Sequence, residues 1–336
     1  MIESVVQKLG DGTDLTENEM VEAMRPIMSG DADRELVKQF LLGLREKGEA
    51  ASELIGAARV LRECMTPIPC QRQPLTDTCG TGGTGAGIFN VSTSAALVAA
   101  GADVAIAKHG NRKVTSRSGS ADVLSALGVN IEANHETVAR CIDTLGIGFC
   151  FAPMFHQAMR HVGPIRQELA VPTIFNLLGP LCNPASASRQ VLGVGRLELL
   201  EKMAAVLIGL GTERALVLHS RDGLCEVSNS AETEVVVCMD GQTDRRVWTP
   251  ETFGEEVSDR SAIEVDSPEQ SAKLIQGVLA GEQGPARSIV VINAAAAIWL
   301  NQPELSEQDA ADLARESIDS KAALGKLEQL ALQSQS

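Results

Sequence analysis

The sequence predicts an α/β protein in which a run of N-terminal helices precedes a mostly parallel sheet flanked by helices. Three observations carry this. The first 65 residues repeat apolar positions at helical spacing, a stretch with three prolines (TPIPCQRQP, 66–74) follows, and short apolar strands then alternate with longer helical runs. The expected division is a small all-helical domain over 1–66 and a large α/β domain over 75–336.

In the helical part, LTENEMVEAMRPIMSG opens with a possible capping box, Thr16 with Glu19, and should stop at Gly30. ELVKQFLLGLREKGE sets Leu36, Phe40, Leu41 and Leu44 on one face. ASELIGAARVLRECM does the same with Leu54, Ile55, Ala58 and Leu61. Beyond the prolines, DVAIA (103–107) and RALVLHS (214–220) read as strands, while STSAALVAAG and LELLEKMAAVLIGLG read as helices. The tail from Pro303, acidic early and Ala/Leu-spaced later, reads as a solvated terminal helix.

Composition narrows the function classes. A net charge of −15 over 336 residues opposes general nucleic-acid binding, so any anion must be captured locally. The eight cysteines form no Cys-x-x-Cys pair, which argues against a structural zinc site and for free thiols. No signal peptide and no apolar run of ~20 residues is evident, so a cytoplasmic location is expected and no membrane partner.

The loop DTCGTGGTGAG (77–87) holds five glycines and no lysine. Gly80, Gly82 and Gly85 satisfy G-x-G-x-x-G, the dinucleotide fingerprint, but that reading requires an acid at the end of the next strand. Asp103 stands at its start, and Lys108 with His109 follows its end. A Walker loop lacks its Gly-Lys-Ser/Thr. A polyphosphate ligand fits better, because Asn90, Ser92 and Thr93 then stand at a helix start whose free N–H groups favour anions.

Lys108, His109, Arg112, Lys113 and Arg117 fall within ten residues without an acid. A solvated loop is the bland account of such a cluster, but the interleaved Gly, Ser, Thr and Asn suit a loop that wraps oxygens. A second acid-free stretch, MFHQAMRHVGPIR (154–166), carries Arg160 and His161, read as surface cations. Arg166 borders a turn-rich apolar segment where a guanidinium can take a carboxylate through paired hydrogen bonds. His135, His156 and His219 have no partners for a nucleophilic triad.

GTGGTGAGIFNVST, AKHGNRKVTSRSGSADVLSALGV, HVGPIRQELAVPTIFNLLGPLCNPA and DGLCEVS occur in an order and spacing that resemble the anthranilate phosphoribosyltransferases. The resemblance implies a nucleoside phosphorylase/phosphoribosyltransferase-like fold, with helices near 164–184 joining the helical part in space and a homodimer formed through it. It implies transfer of the phosphoribosyl group of phosphoribosyl pyrophosphate to anthranilate in tryptophan synthesis. Carried over by position, Gly83, Thr84, Asn90, Val91, Ser92, Thr93, Lys108, His109, Gly110, Asn111, Arg112, Ser116 and Ser120 would hold phosphoribosyl pyrophosphate. Gly80, Asn111 and Arg166 would contact anthranilate. Ser92 and Glu226, with Cys225 the weakest candidate, would serve two Mg²⁺ ions. No catalytic acid or base is assigned.

The chain departs from the family pattern at four places. Thr84 replaces an acid, Ile88 a threonine, residues 169–173 read Leu-Ala-Val-Pro-Thr in place of Leu-Gly-x-Arg-Thr, and Cys225-Glu226 replaces a metal-holding Asp-Glu. The rival readings are a same-fold paralogue with another acceptor, such as a nucleoside phosphorylase, and an idle relative that binds nucleic acid. The intact Asn111 and Arg166 motifs favour anthranilate over the first, and the acidic chain opposes the second.

Overall fold

The computed structural model describes residues 2–82, 85–112 and 118–336. It opens with α1 (Ile2–Gly10), α2 (Glu17–Ser29), α3 (Arg34–Lys47) and α4 (Ala51–Cys64). Thr16 and Glu19 form the expected capping box on α2, and Gly30 ends it in the left-handed region at φ 85°. Asp33 caps α3 by accepting from the N–H groups of Glu35 and Leu36. The inner face of α3 is Val37, Phe40, Leu41 and Leu44, so Val37 takes the place expected for Leu36. On α4, Leu54, Ile55, Ala58 and Leu61 are all buried, as their spacing requires.

Residues 66–74 are not a free tether. Thr66 N–H donates to the Phe155 carbonyl and Ile68 N–H to that of Pro184. The sheet comprises β1 (Thr76–Gly80), β2 (Ile106–Gly110), β3 (Ile147–Phe151), β4 (Arg189–Gly193), β5 (Arg214–Ser220), β6 (Thr233–Met239) and β7 (Gln242–Trp248). Their order is β3-β2-β1-β4-β5-β6-β7. The first five strands run parallel, and β6 and β7 are antiparallel additions, so the sheet is mostly parallel as expected.

The remaining helices are α5 (Val91–Gly101), α6 (Ser120–Ala126), α7 (His135–Leu145), α8 (Ala152–Phe155), α9 (Gly163–Leu169), α10 (Phe175–Leu178), α11 (Leu199–Gly209), α12 (Pro268–Leu279), α13 (Pro285–Asn301), α14 (Glu307–Asp319) and α15 (Ala322–Gln333). Alternate residues of β4–β6 feed two cores, as the two-residue period of a strand dictates. Val191, Leu216, Leu218, Val235 and Val237 face the core shared with α5 and α12–α15. Leu192, Val194, Ala215, Val217 and Val236 face the other, which runs through α11 into α1–α4 and on to Val162, Ile165, Phe175 and Leu178.

Two expectations are corrected. The strand expected at 103–107 lies at 106–110, because the turn closing α5 consumes the intervening residues: Asp103 adopts φ 65° and Val104 N–H donates to the Ala99 carbonyl. Lys108 and His109 therefore sit inside β2 rather than beyond its end. The tail is not a solvated helix but two packed ones. Ala310, Ala311, Ala314 and Ile318 of α14 and Ala323, Leu327 and Leu330 of α15 are buried in the main core. The alanines among them admit close helix packing. No described helix is long and apolar enough to cross a membrane.

Candidate active site

Three parallel strands, β1, β2 and β4, end on glycine at one edge of the sheet, Gly80 and Gly193 in register with each other. Loops leaving parallel strands gather at that edge, which is where open α/β sheets bind ligands. The loop after β5 crosses it closely. A Cβ at Gly193 would lie 1.7 Å from the Cys225 carbonyl oxygen, and one at Gly80 would lie 3.4 Å from Cys225 Cβ. Gly193 can be nothing larger, since the obstruction is backbone.

Val91 begins α5, and Asn90 is its N-cap, yet the Asn90 side chain caps no backbone N–H. Instead its Oδ1 accepts from Thr93 Oγ1 at 2.5 Å and its Nδ2 donates to the Ser118 carbonyl at 3.4 Å. The Val91 N–H donates to the Phe89 carbonyl at 2.8 Å, and with no side-chain cap the helix start still offers its dipole to an anion. Lys108, 4% exposed, reaches the same place: its Nζ donates to the Thr78 carbonyl at 2.6 Å and to Ser92 Oγ at 3.4 Å. Burial lowers the Lys108 pKa, opposed by the nearby Asp77, Cys79 and Glu226.

Asp77 is fully buried beneath this point. Its Oδ1 accepts from His109 N–H at 3.1 Å, and its Oδ2 from Asn183 Nδ2 at 2.9 Å. Desolvation raises its pKa, with Lys108 the main opposing influence. His109 Nε2 lies 3.2 Å from His156 Nε2. Burial, then the neighbouring His156, pushes His109 down to about 3, so it is a neutral wall residue and not one of the cations.

After β2, Asn111 Oδ1 accepts from Arg112 N–H at 2.8 Å, and Ser120 Oγ donates to the Asn111 carbonyl at 3.4 Å. Gly110 ends the strand against Ser120. The exposed Arg112 guanidinium stands 3.5 Å from Asp122 and 3.8 Å from Glu132, over the Phe151 ring at 5.7 Å. Gly83, Thr84 and Ser116 lie outside the described residues, as do Lys113 and Arg117 of the cationic run.

Arg166, on α9, lies over the Phe175 ring at 5.4 Å and donates to Asn176 Oδ1 at 3.3 Å. Among the described residues it has no acidic partner, and burial lowers its pKa. Asn176 belongs to α10, which runs into Gly179, whose backbone bonds His109. Arg166 is thus linked to the sheet edge through a single short element.

Glu226 occupies the loop after β5. Burial, then repulsion by Asp222, outweighs the attraction of Lys108 and Arg260, and its carboxyl rises to about 7. Burial also raises the Cys225 thiol, which bonds Thr81 and the Gly82 backbone. It therefore stays a protonated thiol that tethers the glycine loop.

Models of known families match both parts of the chain: "Glycosyl transferase family, helical bundle domain" over residues 3–65 and "Glycosyl transferase family, a/b domain" over residues 72–324. Among curated relatives, the anthranilate phosphoribosyltransferase of Thioalkalivibrio sulfidiphilus is 48% identical over 330 residues, covering 98% of this chain and 96% of its own. The chain belongs to the anthranilate phosphoribosyltransferase family. The crystal structure of the Thermus thermophilus member superposes with a TM-score of 0.93 at 42% identity, covering 99% of both chains. The Saccharomyces cerevisiae member, in complex with PRPP and Mg, gives 0.90 at 29% identity, covering 99% of this chain and 98% of that one.

Some residues of this anthranilate phosphoribosyltransferase site escape sequence reasoning. Asp77, Asn183 and His156 converge on β2 from 32, 76 and 47 residues away from their partners there, which no local spacing reveals. Arg260 is another. Its Nη1 donates to the Asp222 carbonyl at 2.8 Å and its Nη2 to the Ala86 carbonyl at 3.2 Å, joining the glycine loop to the Glu226 loop. No motif flags it.

Among the described residues no three acidic, His or Cys side chains converge to enclose a metal. The oxygens present still suit a hard cation shared with a ligand: Glu226, the Ser92 hydroxyl beside Lys108, and the carboxylate of Asp222, which Ser228 and Ser230 hold through Oδ2. Mg²⁺ is commonly bound by one or two carboxylates completed by phosphate oxygens and water. The residues fit the ion.

Proposed function

We propose that this protein transfers the phosphoribosyl group of phosphoribosyl pyrophosphate to the amine of anthranilate, releasing pyrophosphate, as a step of tryptophan biosynthesis. The observation that carries this reading is Lys108, a buried ammonium 3.4 Å from Ser92 Oγ at an uncapped helix start, a ready-made polyphosphate seat in a chain of net charge −15. Asn90, Val91, Ser92 and Thr93 would line that seat, with Gly110, Asn111 and Ser120 closing over the ribose side and the glycine-loop and cation-loop positions Gly83, Thr84, Ser116 and Arg112 adding contacts.

In the reaction the bond from ribose C1 to pyrophosphate breaks, and a bond from C1 to the anthranilate nitrogen forms. Negative charge grows on the leaving oxygens, and Lys108 with the α5 dipole stabilises it. The acceptor must meet C1 from the opposite side. Arg166, a half-buried guanidinium without a carboxylate partner among the described residues, suits the anthranilate carboxylate, while Gly80 and Asn111 shape the space for its ring. The neutral His109–His156 pair walls the two ligands apart. The amine is uncharged near neutral pH, so a strong base is unnecessary, and the proton its nitrogen sheds once joined to C1 passes to the departing pyrophosphate or to water.

When bound, Mg²⁺ supplies further charge neutralisation on the pyrophosphate. Two ions are proposed, held through Ser92 and Glu226, with the second weakened because position 225 carries a protonated thiol. Residues 1–66 and 75–336 are proposed as the two domains, with a homodimer through the helical part and a cytoplasmic location. The test is direct. Protein mixed with Mg²⁺, phosphoribosyl pyrophosphate and anthranilate should show loss of anthranilate fluorescence that depends on all three, and persistence of the fluorescence would refute the proposal.

A further inference from the structure

The loop that carries Glu226 is gripped by a side chain from the far end of the sequence. Asn293 lies midway along α13, 6% exposed in the main core. Its Oδ1 accepts from the Val227 N–H at 2.9 Å, and its Nδ2 donates to the Val227 carbonyl at 2.8 Å. The second Nδ2 hydrogen goes to the Ile289 carbonyl, one helical turn back, at 2.8 Å. The carboxamide thus takes both backbone groups of one residue, as a neighbouring strand would, and prevents that residue from turning about the chain axis.

Val227 immediately follows Glu226. On the other flank, the Cys225 carbonyl is pressed against Gly193. Glu226 is therefore held between two fixed neighbours, and α13 also packs against α5, whose start bears Asn90 and Ser92. One helix fixes the carboxylate and the phosphate-side helix relative to each other.

We propose that Asn293 is a positioning residue that aims the Glu226 carboxylate at the Mg²⁺–phosphoribosyl pyrophosphate seat; the inference rests on the reading of Glu226 given above. The chemistry admits few substitutes. Aspartate could accept from Val227 N–H but would oppose two buried carbonyls, and an apolar residue would strand the Val227 N–H and carbonyl without partners. Glutamine carries the amide one carbon too far.

Asn293→Ala and Asn293→Ser in the full chain, compared with Glu226→Gln, test this by calorimetric titration with phosphoribosyl pyrophosphate across a Mg²⁺ series, alongside the KM for anthranilate. Supporting groups of this kind are commonly worth about 10–100-fold in metal affinity. The expected result is phosphoribosyl pyrophosphate binding weakened about tenfold with a flattened Mg²⁺ dependence, as in Glu226→Gln, and an anthranilate KM within about twofold of the parent. A lowered melting temperature with unchanged Mg²⁺ dependence would overturn the inference, as would equal damage to both substrates. If Glu226→Gln itself leaves the Mg²⁺ dependence unchanged, the reading of Glu226 fails and the inference falls with it. If only the Asn293 variants leave it unchanged, the inference alone fails. Hydrogen exchange of the parent protein gives a check that needs no variant: the Val227 amide should exchange slowly and slow further with Mg²⁺ and phosphoribosyl pyrophosphate, and fast exchange refutes the grip.

Discussion

Replacing Glu226 by glutamine should make the metal-free protein more stable at neutral pH while removing the carboxylate proposed to serve Mg²⁺. Burial, aided by Asp222 and opposed by Lys108 and Arg260, raises this carboxyl from 4.5 to about 7. The folded chain therefore binds the proton more tightly than the unfolded chain does. Between about pH 4.5 and 7 the native state keeps a proton that the unfolded state has released, so this group's contribution to stability falls as pH rises through that window. At about 1.36 kcal/mol per pKa unit, the loss reaches about 3 kcal/mol above pH 7. Glutamine keeps the shape and has no charge to desolvate. In the presence of a chelator, Glu226→Gln should match the parent near pH 4.5 and exceed it by about 3 kcal/mol at pH 8, a rise of roughly 6 °C in melting temperature at about 2 °C per kcal/mol. Thermal or urea unfolding of both proteins across that pH range measures the difference. Parallel curves, or a parent that gains on the variant with rising pH, would refute the reasoning.

Arg166→Ala should raise the anthranilate KM about ten- to a hundredfold and leave phosphoribosyl pyrophosphate binding nearly unchanged, as steady-state kinetics with each substrate varied will show. Lys108→Ala should weaken phosphoribosyl pyrophosphate binding and also cost about 1–3 kcal/mol of stability, because the Thr78 carbonyl loses its buried donor; calorimetric binding paired with denaturant unfolding checks both parts. Cys225→Asp should shift half-saturation to lower Mg²⁺, and superimposable titrations of variant and parent would show that position 225 does not set metal affinity.

What the sequence made legible was local. The Thr16–Glu19 capping box, the stop at Gly30 and strand 214–220 each follow from residues within a few positions of one another, and each stands where expected. The start of α5 was equally readable, since a glycine loop followed by Asn, Ser and Thr has few other uses. The errors arose where a turn consumed residues. Nothing in DVAIA announces that Asp103 takes a left-handed turn, and the resulting shift moves Lys108 and His109 from a loop into the sheet. The tail misled because acidic residues on the outer face of α14 masked an inner stripe of alanines. The supports beneath the site, Asp77 with Asn183, His109 with His156, and Arg260 between two loops, depend on tertiary contacts that periodicity does not encode.

The packing of α9 gives the chain a mechanical division that differs from its order in sequence. Glu168 is salt-bridged to both Arg34 and Lys38 of α3, and Ile165 lies in the same core as α1–α4. Arg166 is thereby bolted to the N-terminal helices, although it follows β3 along the chain. Lys108 and Ser92 are anchored in the sheet and its covering helix. Any swing of the helical body would carry Arg166, the proposed clamp for the acceptor, away from the proposed donor seat at Lys108, so the gap between the two would track the angle of the helical body. High salt, by loosening the exposed Glu168 bridges, should slacken that coupling before it disturbs either proposed binding site.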